Sequence, residues 1–210
     1  MADEVVTYGE LVQKGNQLAG LLKYQGIGPG DVFATVMENR PEVIISLYAA
    51  LATGAVLMPL DPKSNWEKLV YLLRHGQAKG VFFSSAVSEN MDKVLSVLPG
   101  IKVLGISYLQ NHGRVRKNDL QVILEEFKGA EIPPERKWAD NYAMILYTSG
   151  TTGIPKGVKI RASRLYDYAA IAADILSICR KIAFIRGCRS PMAMPIQSPS
   201  SPLCFLVFRR

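Results

Sequence analysis

The chain has 210 residues, 49% of them hydrophobic and 9% aromatic, which is enough to bury one sizeable core or two small ones. No apolar run reaches about 18 residues, and Met1-Ala-Asp-Glu-Val5 is acidic where a secretory leader is basic and then apolar, so the sequence predicts no membrane span, no signal peptide and a cytoplasmic protein. The net charge of +7 invites a nucleic-acid partner, but six of the 25 basic residues and none of the 18 acidic ones lie in 175–210, so the body before them is nearly balanced and predicts no nucleic acid.

In chain order, apolar strands alternate with amphipathic helices, the pattern of an α/β fold with a largely parallel sheet. Thr7-Tyr-Gly-Glu10 reads as a capping box opening a helix through Leu11, Leu18, Leu21 and Leu22, which Gly26-Ile-Gly-Pro-Gly30 ends. Val32–Met37 reads as a strand. Pro41 starts a helix through Val43, Ile44, Leu47 and Leu51, and Gly54 stops it. Ala55–Met58 is the next strand, closed by Pro59-Leu-Asp-Pro62, where Asp61 between prolines reads as a turn former. Helix 64–75, strand Gly80–Phe83, helix 86–97 and strand Lys102–Gly105 follow, with His75 placed to favour a helix C-terminus. A charged stretch from Asn111 to Arg136 carries a short helix, Leu120–Phe127. Its basic run Arg114–Lys117 and His112 read as solvated loop.

Ala143–Tyr147 is a continuous apolar segment, as expected of a buried strand in a parallel sheet. A loop leaving such a strand sits where α/β folds bind ligands. Here that loop is Tyr147-Thr-Ser-Gly-Thr-Thr-Gly-Ile-Pro-Lys-Gly-Val158. Gly150, Gly153 and Gly157 permit positive φ, so consecutive N–H groups can turn toward an anion. Thr148, Ser149, Thr151 and Thr152 add neutral hydroxyl donors, Lys156 adds a cation, and Pro155 stiffens the approach to it. These groups suit phosphate oxygens and not a metal or a sugar. A P-loop is disfavoured, because its lysine is followed by a hydroxyl residue and Lys156 is followed by Gly157. After the loop, Val158–Ile160 reads as a returning strand and Ser163 as the cap of a helix through Leu165, Tyr168, Ala169 and Ala172.

Beyond about residue 174 the composition breaks. All three cysteines, Cys179, Cys188 and Cys204, fall there with Pro191, Pro195, Pro199 and Pro202, and their spacing fits no zinc or disulfide framework. The segment predicts disorder, or sequence foreign to the fold before it. An amphipathic membrane contact through Arg180, Lys181 and neighbouring apolar residues is the competing reading, which Pro191 limits.

With these residues in view, the chain resembles the adenylate-forming, AMP-binding enzymes: acyl-CoA synthetases, luciferases and peptide-synthetase adenylation domains. Tyr147–Val158 is similar to their signature loop. Upstream, Thr7-Tyr-Gly-Glu-Leu11, Gly28-Pro-Gly-Asp31, Asn39-Arg-Pro-Glu42 and Gly54–Pro62 resemble their opening segments in order and spacing. The paired Thr151-Thr152 resembles acyl-CoA synthetases more than peptide synthetases. The resemblance implies a partial N-terminal domain over 5–174, of alternating strands and helices with an incomplete sheet, followed by a distinct tail over 175–210.

It also implies a reaction in which a carboxylate attacks the α-phosphate of Mg-ATP and a thiol, usually coenzyme A, then displaces AMP. Thr148, Ser149, Gly150, Thr151, Thr152, Gly153 and Lys156 would hold the β- and γ-phosphates, with Lys156 as the catalytic cation. The family's segments for Mg²⁺, ribose, acyl group and coenzyme A lie downstream of this loop and have no counterpart here, so no metal ligand is assigned. The resemblance thus points to an inactive fragment of a carboxylate-activating ligase, with a non-catalytic phosphate-binding or interaction module using the basic tail as the alternative.

Overall fold

The computed structural model describes residues 4–108, 117–133, 137, 140–148, 155–175, 182–186, 192–195 and 205–208, with side chains described between residues 6 and 171 of these. His112 and most of the basic run at 114–117 lie outside them.

The first helix, α1 (Tyr8–Tyr24), begins where its capping box predicts. The Thr7 hydroxyl accepts from Glu10 N–H at 3.1 Å, and the Glu10 carboxylate accepts from Thr7 N–H at 2.8 Å, so each side chain satisfies a backbone donor the helix cannot. A short strand that the sequence reading missed, β1 (Glu4–Thr7), immediately precedes it. The next helix, α2 (Pro41–Thr53), starts on its proline and stops at Gly54, whose φ of 74° is the left-handed conformation that favours glycine.

Between and after these helices run β2 (Val32–Val36), β3 (Val56–Leu60), α3 (Trp66–His75), β4 (Ala78–Ser84), α4 (Ser88–Val97), β5 (Lys102–Ser107) and α5 (Leu120–Glu125). β6 (Tyr142–Thr148), β7 (Lys156–Arg161) and α6 (Ala162–Ile175) complete this part of the chain. α6 begins at Ala162, so Ser163 lies inside the helix instead of capping it. Asp61 forms the expected turn, its Oδ1 accepting from Lys63 N–H at 2.9 Å.

The main sheet has six strands in the order β5-β4-β2-β3-β6-β7. All neighbours are parallel except β6 and β7, an antiparallel hairpin at one edge. Because side chains alternate across a strand, each buried strand feeds two cores. Phe33, Leu57 and Phe82 point to the face covered by α1, α2 and α5, together with Leu18, Leu22, Ile45, Ala49 and Leu120. Val36, Met58, Val81 and Phe83 point to the other face, beneath Leu69, Leu73, Met91 and Val94 of α3 and α4.

The buried stripe of α2 differs from the expected one. Ile45, Ser46, Ala49, Ala50 and Ala52 lie deepest, while Val43, Ile44 and Leu47 are only partly buried against the core. A helix that is apolar nearly all round leaves no polar face to set its orientation, and close approach to α1 selects the small residues. Gly15 of α1 sits so close to the Tyr48 ring of α2 that an added Cβ would come within 2.4 Å of it.

At the amino ends of the strands, beside the Gly54 cap of α2, Asp31 ties the turn before β2 to β4. Its carboxylate accepts from Gly28 N–H at 3.1 Å and meets Lys79 Nζ at 2.6 Å. Partial burial raises its pKa, but the hydrogen bonds from Lys79 and Gly28 and the charge of Lys79 outweigh that and leave it below the ordinary value. A carboxyl with a lowered folded pKa contributes stability above its unfolded value of about 3.9, and that contribution is lost as pH falls through the folded value. The stability gap between wild type and Asp31→Asn, measured by urea unfolding, is therefore expected to be constant near neutrality and to close as pH drops below about 4.

The tail, where the sequence reading expected disorder or foreign sequence, contributes β8 (Ile182–Arg186), β9 (Met192–Pro195) and β10 (Phe205–Phe208). With β1 they form a second sheet in the order β1-β10-β8-β9. Glu4 to Thr7 pair antiparallel with Phe208 to Phe205, an alignment spanning almost the whole chain.

Candidate phosphate-binding site

The carboxyl ends of the parallel strands share one edge of the main sheet, and the phosphate-type loop leaves the carboxyl end of β6 on that edge. Ser149, Gly150, Thr151, Thr152 and Gly153 lie outside the described residues. Both of the loop's anchors are described. Thr148, the last residue of β6, is the direct cross-strand partner of Lys156, the first residue of β7. Direct antiparallel partners project to the same face with their Cβ atoms about 5 Å apart, so the hydroxyl and the ammonium flank the loop together. Both residues are exposed.

The other cations of β7 are engaged away from the loop. Lys159 and Arg161 lie over the Tyr142 ring at 5.4 and 5.5 Å, and Arg161 also donates to the Asp140 carbonyl at 3.1 Å.

Gly157 does not play the part the sequence suggests. It is a strand residue opposite Tyr147, outside the set of glycines with positive φ. What it provides is room. A Cβ there would lie 3.2 Å from Ile145 Cγ2 and 3.4 Å from the Tyr147 ring, so glycine lets that ring lie across the strand.

Tyr147 points to the face covered by α3, where its hydroxyl lies 2.6 Å from His75 Nδ1 and its ring meets the imidazole edge-on at 5.7 Å. Burial pushes the Tyr147 phenol above its ordinary value, and the neighbouring Tyr71 adds to the effect, so the hydroxyl stays neutral and keeps its proton near pH 7. His75 ends α3 as the sequence predicts, but the sequence reading gave it no partner. The pair joins residues 72 positions apart, and no local pattern announces it.

A second polar group, also missed, braces the same edge further along. Arg40 Nη2 approaches Glu42 Oε1 at 3.4 Å, and the same oxygen accepts from the Ser107 hydroxyl at 2.8 Å. Ser84 donates to Glu38 at 3.3 Å. These contacts tie the segment after β2 to the ends of β4 and β5, and they give Asn39-Arg-Pro-Glu42 a structural role at the edge from which the loop departs. Among the described residues no three His, Cys, Asp or Glu side chains converge as a metal site.

A parallel sheet with helices on both faces, and a Gly-, Ser- and Thr-rich segment leaving the carboxyl end of one strand, place the chain in the α/β class. The family model described as AMP-binding enzyme matches residues 1–195, past the compositional break, and the chain belongs to that adenylate-forming family, which activates acyl and amino acids. It is 32% identical over 166 residues to surfactin synthase subunit 2 of Bacillus subtilis, covering 79% of this chain and 4% of that protein. It is 30% identical to a Medium/long-chain-fatty-acid--CoA/3-oxocholest-4-en-26-oate--CoA ligase of Mycobacterium marinum, covering 78% of this chain and 31% of that one. The crystal structure of ATP-bound MatB from Rhodopseudomonas palustris superposes with a TM-score of 0.70 at 25% identity, over 86% of this chain and 34% of that one. The chain therefore spans about a third or less of each of these three proteins. Relatives of the peptide-synthetase and CoA-ligase kinds match at similar identity. Among the described residues no helix is long and apolar enough to cross a membrane.

Proposed function

We propose that this chain carries the triphosphate grip of an ATP-dependent carboxylate-activating ligase. In that reaction a carboxylate oxygen attacks the α-phosphorus of ATP and the bond to the bridging oxygen breaks. Acyl-adenylate forms and pyrophosphate leaves, after which a thiol, coenzyme A in the acyl-CoA synthetase reading, displaces AMP. Thr148, Ser149, Gly150, Thr151, Thr152, Gly153 and Lys156 hold the β- and γ-phosphates by backbone N–H groups, hydroxyls and one cation. Lys156 offsets the charge that collects on departing pyrophosphate, so its catalytic contribution is positioning and electrostatic. The observation that carries this reading is the pairing of Thr148 with Lys156 across the mouth of the hairpin at the carboxyl edge of the sheet.

Two finer statements belong to the same proposal. Residues 5–174 act as the partial nucleotide-binding domain, and 175–210 as a distinct tail. In support, α6 ends at Ile175 and the tail strands belong to a separate sheet from the one bearing the loop. These 210 residues bind ATP without completing acyl-adenylate, because their sequence holds no counterpart of the family's ribose, Mg²⁺ and acyl-binding segments. ATP–pyrophosphate exchange in the presence of a panel of fatty, aromatic and amino acids tests this. No acid-dependent exchange is expected, and exchange above the acid-free background would show the chain to be catalytic as it stands.

A further inference from the structure

The end of α3 is fixed on several sides. The N–H of Gly76 bonds to the Leu72 carbonyl at 2.8 Å and that of Gln77 to the Arg74 carbonyl at 3.1 Å, with Gln77 in the left-handed region at φ 54°. Gly76 is pressed against β3, where a Cβ would come within 2.5 Å of Met58 Sδ. His75 therefore projects from a backbone with little freedom. Its ring stacks on Tyr71, one turn earlier, at 5.6 Å and 24°.

On its other side the imidazole meets Tyr147, whose ring is backed by the bare backbone of Gly157. Tyr147 and Gly157 form the cross-strand pair immediately inside Thr148 and Lys156. One side chain from α3 thus holds the half-buried ring of the pair next to the hairpin's mouth, and the following pair carries Thr148 and Lys156. The 2.6 Å contact is satisfied in either imidazole tautomer, since the phenol can donate to Nδ1 or accept from its N–H.

We propose that His75 is a positioning residue, holding the mouth of the β6–β7 hairpin through the Tyr147 hydroxyl and so fixing Thr148 and Lys156 for triphosphate. The second half of this statement rests on the ATP-binding reading and the first does not. Tyr147→Phe keeps the ring and removes the hydroxyl. His75→Ala removes the partner, and His75→Asn returns a polar group near the place of Nδ1.

In the full chain without nucleotide, amide hydrogen exchange over residues 147–157 is expected to accelerate in Tyr147→Phe and His75→Ala, and to return toward wild type in His75→Asn, with the strands β2 to β4 unchanged. Loss of one such hydrogen bond is also expected to raise the dissociation constant for ATP about three- to tenfold in the first two variants. Unchanged exchange at the hairpin overturns the proposal whether or not ATP binds. Exchange that rises equally across all strands overturns it too, since that marks general destabilisation. Faster hairpin exchange in a chain whose wild type binds no ATP upholds the positioning role and refutes the ATP-binding reading instead.

Discussion

Replacing Lys156 with alanine is expected to weaken ATP binding by about ten- to a hundredfold while leaving the melting temperature nearly unchanged. The residue is the exposed first position of β7, so its side chain buries almost no apolar surface and its loss leaves no cavity. Hydrogen bonds to charged groups contribute about 1.5–3 kcal/mol, and each 1.4 kcal/mol is about tenfold in affinity. Lys156→Arg is expected to recover only part of the loss. The planar guanidinium keeps the charge but cannot reproduce the reach of a compact ammonium on a flexible stem. Titration calorimetry of the three proteins checks both results, with thermal melts run in parallel.

The largest effect on stability is expected from Phe82→Ala. Phe82 is fully buried in β4, a strand with neighbours on both sides, and meets Phe33 of β2 edge-on at 6.0 Å and 87°. Both rings belong to the core between the sheet and helices α1 and α2. Truncating a buried phenylalanine costs about 3–5 kcal/mol, through lost transfer energy and the cavity left among neighbours that cannot collapse fully. Against the ~5–15 kcal/mol typical of a domain, that removes a large share of the total. Lys93→Ala breaks an exposed ion pair with Glu89 on α4 and is expected to change stability by less than about 0.5 kcal/mol. The shift in urea midpoint for the two variants, at equal slope, separates core from surface.

What could be read in the sequence is what local chemistry encodes. The capping box at Thr7 and Glu10, the stop at Gly54, the Asp61 turn and the short apolar strands each depend on residues a few positions apart, and each is present. The order of those elements also announced the parallel sheet, because strands joined by helices pair that way.

The unread features depend on distance. β1 is four residues long and its partner Phe205–Phe208 lies at the far end of the chain, so neither shows any periodicity beyond its own few side chains. Gly157 looks like a loop glycine until Tyr147 is seen opposite it. His75 looks like a helix-terminal cation until β6 brings a phenol to its Nδ1. On α2, apolar residues cover most of the surface, and only packing in the fold decides which stripe lies deepest. For the site, the residue types and their spacing are what the phosphate-binding proposal starts from. The register that sets Thr148 against Lys156 came from the fold.

The central claim is that the hairpin loop grips the β- and γ-phosphates of ATP. The most direct measurement is a calorimetric titration of the full chain with ATP and, separately, with AMP, which shares the base, ribose and α-phosphate but lacks the two groups the loop is said to hold. Saturable ATP binding, with AMP at least tenfold weaker, is the expected result. Equal affinity for the two nucleotides, or no detectable binding of ATP, would contradict it.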